Sequence, residues 1–105
     1  RRSTKSNSEE TLHFEDLNLN LNTYTVEVDG ETIELTLKEF NILKTLIEKY
    51  PQVITRENLL DSIWGYDYYG DTRIVDAHIK NLRKKIKLQY IKTVKGIGYT
   101  LEKSI

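Results

Sequence analysis

The hydrophobic pattern of this chain changes its period twice, and no other feature constrains the fold as strongly. Between Leu12 and Leu35 apolar and polar residues alternate, as they do along a half-buried strand. Between Thr36 and Lys87 apolar residues recur every three or four positions, which is typical of amphipathic helices. A strand pattern returns after Gln89. Because 105 residues suffice for one domain with a small core, the pattern predicts a single α+β domain.

The first segment predicts an antiparallel sheet of three or four strands with one buried face. Asp29-Gly30 lies between two alternating runs and is a strong hairpin signal. Residues 1–10 contain three serines and no apolar residue, which indicates a linker or a remnant left by cloning. The folded domain is therefore expected over residues 11–105.

Three helices are predicted in the middle of the chain. Thr36-Leu37-Lys38-Glu39 fits a capping box at the start of the first helix. Pro51 ends that helix, because the residue before a proline avoids the helical region. The second helix is expected to begin near Thr55 and to end before Gly65, and the third is expected over about residues 72–87.

The third predicted helix is apolar on one side and mostly basic on the other. A closing hairpin over residues 91–101 follows it, with Gly96-Ile97-Gly98 as the connection. Two helices in close succession, a basic third helix and a hairpin are the elements of a winged helix-turn-helix. The apolar side of the third helix contains Val75, Ile79, Leu82 and Ile86, and the opposite side contains Arg73, Ala77, Lys80 and Lys84, flanked by Asp76, Asn81 and Lys87.

A formal net charge of zero conceals a separation of charge along the chain. Residues 9–50 carry ten acidic and three basic residues, whereas residues 71–99 carry eight basic and two acidic residues. The distribution of positive and negative charge along the chain is more informative about binding partners than the net charge is. The chain has no cysteine, which excludes disulfides and Cys-ligated metals, and no apolar run long enough to span a membrane.

The basic face has the side chains that double-stranded DNA requires. Lys80 and Asn81 can hydrogen-bond base edges in the major groove, and Ala77 is small enough to contact a thymine methyl group. Arginine and lysine also contact phosphates, which position a protein without reading sequence. The cations expected to reach phosphates are Arg73, Arg83, Lys84 and Lys85, with Lys95 at the hairpin tip.

Other functions remain open from the pattern alone. A basic amphipathic helix is also typical of a solvated face, a calmodulin target or a membrane-surface helix. The acidic sheet and the tyrosine-rich loop after Gly65 could instead make the domain a protein-interaction module. An enzyme is not expected, because His13 and His78 lie in different elements and neither a phosphate loop nor a metal-binding spacing is present. We expect no cofactor and no metal. Trp64 is first a core residue, with a phosphate contact as the alternative.

Four separate motifs resemble one known family, in the same order and with similar spacings over residues 12–102. They are Thr36–Phe40, Arg56–Leu60 leading to Trp64-Gly65, Arg73–Leu82 followed by Arg83-Lys84-Lys85, and Ile91–Tyr99. They closely resemble the DNA-binding effector domain of OmpR/PhoB-type response regulators, the output half of bacterial two-component systems.

The resemblance implies a four-stranded N-terminal sheet, a recognition helix over about 72–87 in the major groove and a wing over 91–101 at the minor groove or backbone. It implies base-reading positions at Ala77, Lys80, Asn81 and Lys84. It implies phosphate or wing contacts at Arg56, Trp64, Thr72, Arg73, His78, Arg83, Thr93 and Lys95. The loop of Tyr66, Asp67, Tyr68, Tyr69, Gly70 and Asp71 corresponds to one that can touch RNA polymerase.

The resemblance also implies partners and a location. These are double-stranded DNA with tandem half-sites, a second copy of the chain on that DNA, RNA polymerase and an upstream receiver domain of the same protein, all in the cytoplasm and without membrane contact. The absence of any methionine fits a chain from which such an upstream domain has been removed.

Four positions depart from the family pattern or need explanation. Lys87–Tyr90 is a short bridge to the wing, Lys95 occupies a position that is often arginine, and Asn81 occupies one that is often basic. Lysine lacks the planar fork of arginine, so a phosphate contact is expected at Lys95, and Asn81 favours adenine. Asp76 would repel phosphate unless paired, and we expect it to bond within the domain, for example to Arg83 or Arg73, and so to orient an arginine.

Overall fold

The computed structural model describes residues 11–65, 70–86 and 90–102. Its strands are β1 (Thr11–Phe14), β2 (Leu17–Asn20), β3 (Thr25–Val28), β4 (Glu31–Glu34), β5 (Ile54–Thr55), β6 (Ile91–Val94) and β7 (Gly98–Leu101). Its helices are α1 (Leu37–Lys49), α2 (Arg56–Ile63) and α3 (Arg73–Ile86). The predicted linker at residues 1–10 lies outside the described residues and stays a prediction.

The first four strands form the predicted N-terminal sheet. The strand order is β1-β2-β3-β4 and every neighbouring pair is antiparallel. Asp29 and Gly30 both have positive φ, at 53° and 84°, as the tight turn between β3 and β4 requires. The alternation places one side of each central strand in the core, with Leu17 opposite Val28 and Leu19 opposite Val26.

Helix α1 begins at the predicted capping box. The Thr36 hydroxyl oxygen accepts the backbone N–H of Glu39 at 3.2 Å, and a Glu39 carboxylate oxygen accepts the N–H of Thr36 at 3.0 Å. The helix ends at Lys49, two residues before Pro51. Its buried side chains pack between the sheet and the other helices, and include Phe40, Ile42, Leu43 and Leu46.

Helices α2 and α3 form the helix-turn-helix. The Thr55 hydroxyl oxygen caps α2 by accepting the N–H of Asn58 at 3.1 Å, and Gly65 follows the helix with φ of 98°. Helix α3 buries the predicted apolar side against the core. Thr72 precedes the helix in a turn, and Lys87 lies outside the described residues.

The closing hairpin pairs β6 with β7, and β7 also pairs with the short strand β5. Periodicity cannot reveal β5, because it has only two residues. The prediction that Gly96-Ile97-Gly98 forms the connection was partly wrong. The turn is closed by the Ile97 N–H donating to the Val94 carbonyl at 2.9 Å, whereas Gly98 belongs to β7.

Gly98 is required for a close approach between strands. A Cβ atom at this position would lie 2.0 Å from the carbonyl oxygen of Ile54. Only glycine therefore lets β5 pair with β7, and this pairing joins the wing to the residues just before α2. In the part of the chain that is described, no helix is both long and apolar enough to cross a membrane.

Candidate nucleic-acid interface

The outer side of α3 presents an uninterrupted row of exposed side chains. Ala77, Lys80, Asn81 and Lys84 are all exposed. Within residues 11–65, 70–86 and 90–102, neither a hydrogen bond nor an ion pair engages the side chains of Lys80, Asn81 and Lys84. Two ammonium groups and an amide are thus available to an external partner, on the face that is opposite to the buried Val75, Ile79 and Leu82.

The guanidinium group of Arg73 is held at the start of α3 by Asp71. Arg73 Nε and Nη2 lie 2.8 and 2.7 Å from Asp71 Oδ2, and the Arg73 N–H donates to Asp71 Oδ1 at 2.9 Å. These hydrogen bonds from Arg73 lower the pKa of the Asp71 carboxyl, and the same pairing raises the pKa of Arg73. Both side chains remain exposed, so Arg73 lies at the surface beside Thr72.

Asp76 has partners different from those expected. Its Oδ2 lies 3.5 Å from Nη1 of Arg56, and its Oδ1 accepts a hydrogen bond from the Tyr99 hydroxyl. The expectation that Asp76 bonds within the domain and beside an arginine is confirmed, whereas the partners named for it, Arg83 or Arg73, are wrong, because those arginines pair elsewhere. Burial, followed by the hydrogen bond to Asp76, raises the pKa of Tyr99 to about 12, so its hydroxyl stays protonated near neutral pH.

Arg83 connects α3 to the wing. Its Nη2 donates to the carbonyl oxygen of Ile91 at 2.9 Å and to the hydroxyl of Thr93 at 2.8 Å. Its guanidinium carbon lies 5.9 Å from the centre of the Tyr99 ring. Two predicted phosphate contacts, Arg83 and Thr93, are therefore bonded to each other across the junction of helix and wing.

Lys85, unlike Lys80 and Lys84, is paired within the domain. Its Nζ lies 2.8 Å from Oε1 of Glu39, whose side chain is buried in α1. In this structure its charge is directed onto Glu39, and the expectation that Lys85 reaches a phosphate stays a prediction. The cations of α3 thus include Lys80 and Lys84, which face outward, and Arg83 and Lys85, which bond to other elements of the domain.

Trp64 and His78 form an aromatic pair at the end of α2. Trp64 packs against the core while part of it remains accessible, and its ring lies 5.1 Å from that of His78 in an edge-to-face arrangement. His78 Nδ1 lies 2.9 Å from the Ile74 carbonyl, which can only accept, so this nitrogen carries a proton. Lys38 Nζ donates to the Ile63 carbonyl at 3.2 Å and lies 5.1 Å from the Trp64 ring centre.

The wing tip is exposed. Lys95 and Thr93 are accessible, and so is Ile97, which is 52% exposed. The exposure of Ile97 was not predicted from the sequence, although its position beside the turn glycine indicated it. Of the predicted polymerase-contact loop, Tyr66, Asp67, Tyr68 and Tyr69 lie outside the described residues, Gly70 is exposed, and Asp71 holds Arg73.

The N-terminal sheet carries exposed acidic side chains. Glu27, Asp29, Glu31 and Glu34 are exposed on β3, β4 and the turn between them. None of these four carboxylates forms an ion pair with a residue that the structure describes. The charge separation seen along the chain is therefore also present at the surface of the folded domain.

These elements define a winged helix-turn-helix domain whose third helix and wing present basic side chains. The family model described as "Transcriptional regulatory protein, C terminal" matches residues 30–101. The chain belongs to this family, the DNA-binding output domains of OmpR/PhoB-type response regulators.

Individual relatives agree with this assignment. The chain is 40% identical over 100 residues to the sensory transduction protein RegX3 of Mycobacterium tuberculosis (strain ATCC 25618 / H37Rv), covering 90% of this chain and 44% of that protein. The chain thus spans less than half of the length of RegX3.

Solved structures agree as well. The response regulator DrrB of Thermotoga maritima, an OmpR/PhoB homolog, superposes with a TM-score of 0.78 at 36% identity, over 92% of this chain and 46% of that one. The DNA-binding domain of Klebsiella pneumoniae RstA, solved in complex with the RstA box, gives 0.79 at 32% identity, over 89% and 97%.

Proposed function

We propose that this domain binds specific double-stranded DNA by placing α3 in the major groove and the wing at the adjacent minor groove or backbone. The observation that carries the proposal is the row of Ala77, Lys80, Asn81 and Lys84, which is exposed and without partners in the described structure. An α-helix fits the major groove, and amide and ammonium donors match the acceptors on base edges there.

In this proposal the base-reading residues are those of the exposed row. Asn81 can bond adenine through both its amide oxygen and its amide nitrogen, whereas Lys80 and Lys84 donate to guanine O6 and N7. Ala77 contacts a thymine methyl group. The phosphate-contacting residues are Arg56, Trp64, Thr72, Arg73, His78, Arg83 and Thr93, and Lys95 makes the wing contact.

We further propose that two copies bind side by side on tandem half-sites. A domain with an acidic sheet and a basic helix and wing orients itself on a polyanion, because the sheet is repelled while the helix is attracted. An upstream receiver domain in the whole protein is part of this proposal, and the description of the matched family as the C-terminal part of transcriptional regulatory proteins supports it. We also propose that residues 66–71 contact RNA polymerase and that the protein is located in the cytoplasm.

The proposal can be tested by fluorescence anisotropy on duplexes selected from random DNA and on unselected duplexes. The logarithm of the affinity should fall linearly with the logarithm of salt concentration, with a slope of about −0.9 for each phosphate contacted. The selected duplex should bind at least about a thousandfold more tightly than the unselected one.

A pair of charge-matched variants sharpens this experiment. Lys80→Ala with Lys84→Ala should abolish the preference for the selected duplex. Lys44→Ala with Lys49→Ala removes the same charge from α1, outside the candidate interface, and should keep that preference. Binding weaker than about 10⁻⁴ M at low salt, or no salt dependence, would overturn the proposal.

A further inference from the structure

A carboxylate on a DNA-reading helix has to be explained. Asp76 lies in the first turn of α3, and its side chain is 38% exposed. An accessible negative charge on this helix repels phosphate and therefore opposes binding. In the structure each of the two carboxylate oxygens has a partner from a different element of the fold.

The first partner is a cation of the proposed phosphate surface. Arg56 is the first residue of α2, twenty positions before Asp76, and its Nη1 lies 3.5 Å from Asp76 Oδ2. An arginine side chain has several rotatable bonds, and fixing them costs side-chain entropy. The Asp76 carboxylate keeps the Arg56 guanidinium beside α3 in the absence of DNA. Part of the side-chain entropy of Arg56 is therefore already lost before binding.

The second partner belongs to the wing. Tyr99 in β7 is buried, and its hydroxyl donates to Asp76 Oδ1. Its ring lies 5.9 Å from the Arg83 guanidinium carbon, and Arg83 also bonds Ile91 and Thr93 of β6. A connected set of contacts, which we call the Asp76 network, therefore joins α2, α3 and both wing strands through Arg56, Asp76, Tyr99, Arg83 and Thr93.

We propose that Asp76 is a positioning residue for DNA recognition, which sets the orientation of Arg56 and, through Tyr99, of the wing relative to α3. This inference rests on the proposed function. It identifies the contacts that make the phosphate-binding cations and the base-reading row act at one fixed spacing. If the wing or the Arg56 side chain were not fixed in orientation, the domain would still attract DNA but would discriminate between sequences less well.

The substitution Asp76→Asn tests the inference, because a purely repulsive charge and a positioning role predict opposite changes in affinity for the selected duplex. If Asp76 acted only as a charge, its removal would raise affinity for every duplex. If it positions the network, affinity for the selected duplex should fall about tenfold, the scale of one lost charge-assisted bond, while affinity for unselected duplexes is unchanged or higher. The ratio of the two affinities is the quantity measured.

Two further variants supply the controls. Asp61→Asn removes the same charge from the exposed side of α2, where the Asp61 carboxylate has no hydrogen-bond or ion-pair partner among the described residues, so the affinity ratio should not change. Tyr99→Phe keeps all charges and removes only the hydroxyl that bonds Asp76. The ratio of the affinities for selected and unselected duplexes should therefore fall, as it does for Asp76→Asn. Amide NMR spectra establish that each variant is folded before its affinity is measured.

The mechanism through Arg56 has its own test. Arg56→Gln should weaken binding of the selected duplex in the wild-type background and should add little in the Asp76→Asn background, because the two residues act as one unit. Equal losses of affinity for both duplexes, or a gain like that of Asp61→Asn, would overturn the inference. If Asp76→Asn does not fold, an unchanged ratio in Tyr99→Phe overturns it. Absence of DNA binding by the wild-type chain would instead overturn the proposed function.

Discussion

The Lys85 ammonium group lies 2.8 Å from Oε1 of Glu39, and this contact joins the first turn of α1 to the last turn of α3. The same oxygen accepts the backbone N–H of Thr36, so one carboxylate both caps α1 and anchors the recognition helix. Glu39 is only 3% exposed, whereas Lys85 is partly exposed. A buried carboxylate requires such partners, because an unpaired one loses hydration without compensation.

Lys85→Met should therefore lower the free energy of unfolding by about 1–3 kcal/mol, since it leaves Glu39 buried without its cation. Urea denaturation followed by circular dichroism measures the change. Lys84→Met is the matched control, because Lys84 is exposed and adjacent, and it should change stability by less than about 0.5 kcal/mol. Equal destabilisation by both variants would mean that the Glu39–Lys85 contact does not stabilise the fold.

The same contact predicts how stability depends on pH. Burial raises the pKa of Glu39, but the hydrogen bonds from Lys85 and Thr36 and the charge of Lys85 together hold it below the ordinary value of 4.5. A carboxyl whose pKa is lowered by folding stabilises the protein above its unfolded pKa and loses this contribution as pH falls through the folded pKa. The difference in unfolding free energy between wild type and Glu39→Gln should thus be constant near neutral pH and shrink below about pH 4.5. A difference that does not change with acidification would contradict this.

Much of the fold could be predicted because its signals are local. The capping box at Thr36 and Glu39 depends on residues three apart, and the turn at Asp29-Gly30 depends on two neighbours. The exposed row of α3 follows from the period of the helix, which fixes its buried side as well. The class of domain was thus accessible from pattern and resemblance together.

The contacts of the charged side chains were less accessible, because they join distant parts of the chain. The partners expected for Asp76 were arginines on its own helix, yet Arg56 and Tyr99 lie 20 and 23 positions away. Lys85 appeared to be one more cation of the basic face, and only the packing of α1 against α3 places it on Glu39. Periodicity shows which side of a helix is polar, but not which polar groups find partners.

Gly98→Ala should disrupt the attachment of the wing. The added Cβ atom would lie 2.0 Å from the Ile54 carbonyl oxygen, so β5 and β7 would have to separate. Overpacking of this kind costs about 1–3 kcal/mol, measured by urea denaturation. Gly96→Asn is the control, because no atom lies within 4 Å of the added Cβ and asparagine tolerates the positive φ there. Equal stability of Gly98→Ala and wild type would show that β5 is dispensable.

Substitutions at Asn81 and Lys95 should affect DNA binding in different ways. Asn81→Ala should cost about 1–3 kcal/mol at a particular base pair of the selected site and relax the preference there, because a base contact is lost. Lys95→Ala should weaken binding to all duplexes similarly and reduce the salt slope by about 0.9, because a phosphate contact is lost. Selection of sites by each variant from random DNA separates the two effects. A base-specific effect at Lys95, or a uniform one at Asn81, would contradict the assigned roles.

Asp71→Asn should strengthen DNA binding severalfold for selected and unselected duplexes alike. The Asp71 carboxylate occupies Nε and Nη2 of Arg73, the groups that a phosphate would bind, so the two anions compete for one guanidinium group. Asparagine can still accept the Arg73 N–H through its side-chain oxygen, so the start of α3 is preserved. Anisotropy titration at low salt measures the gain, and Asp61→Asn, which lacks a cation beside it in the described structure, should give a smaller one. If Asp71 instead orients Arg73 for phosphate, the same substitution will weaken binding, and Arg73→Ala will then cost less in the Asp71→Asn background than in wild type.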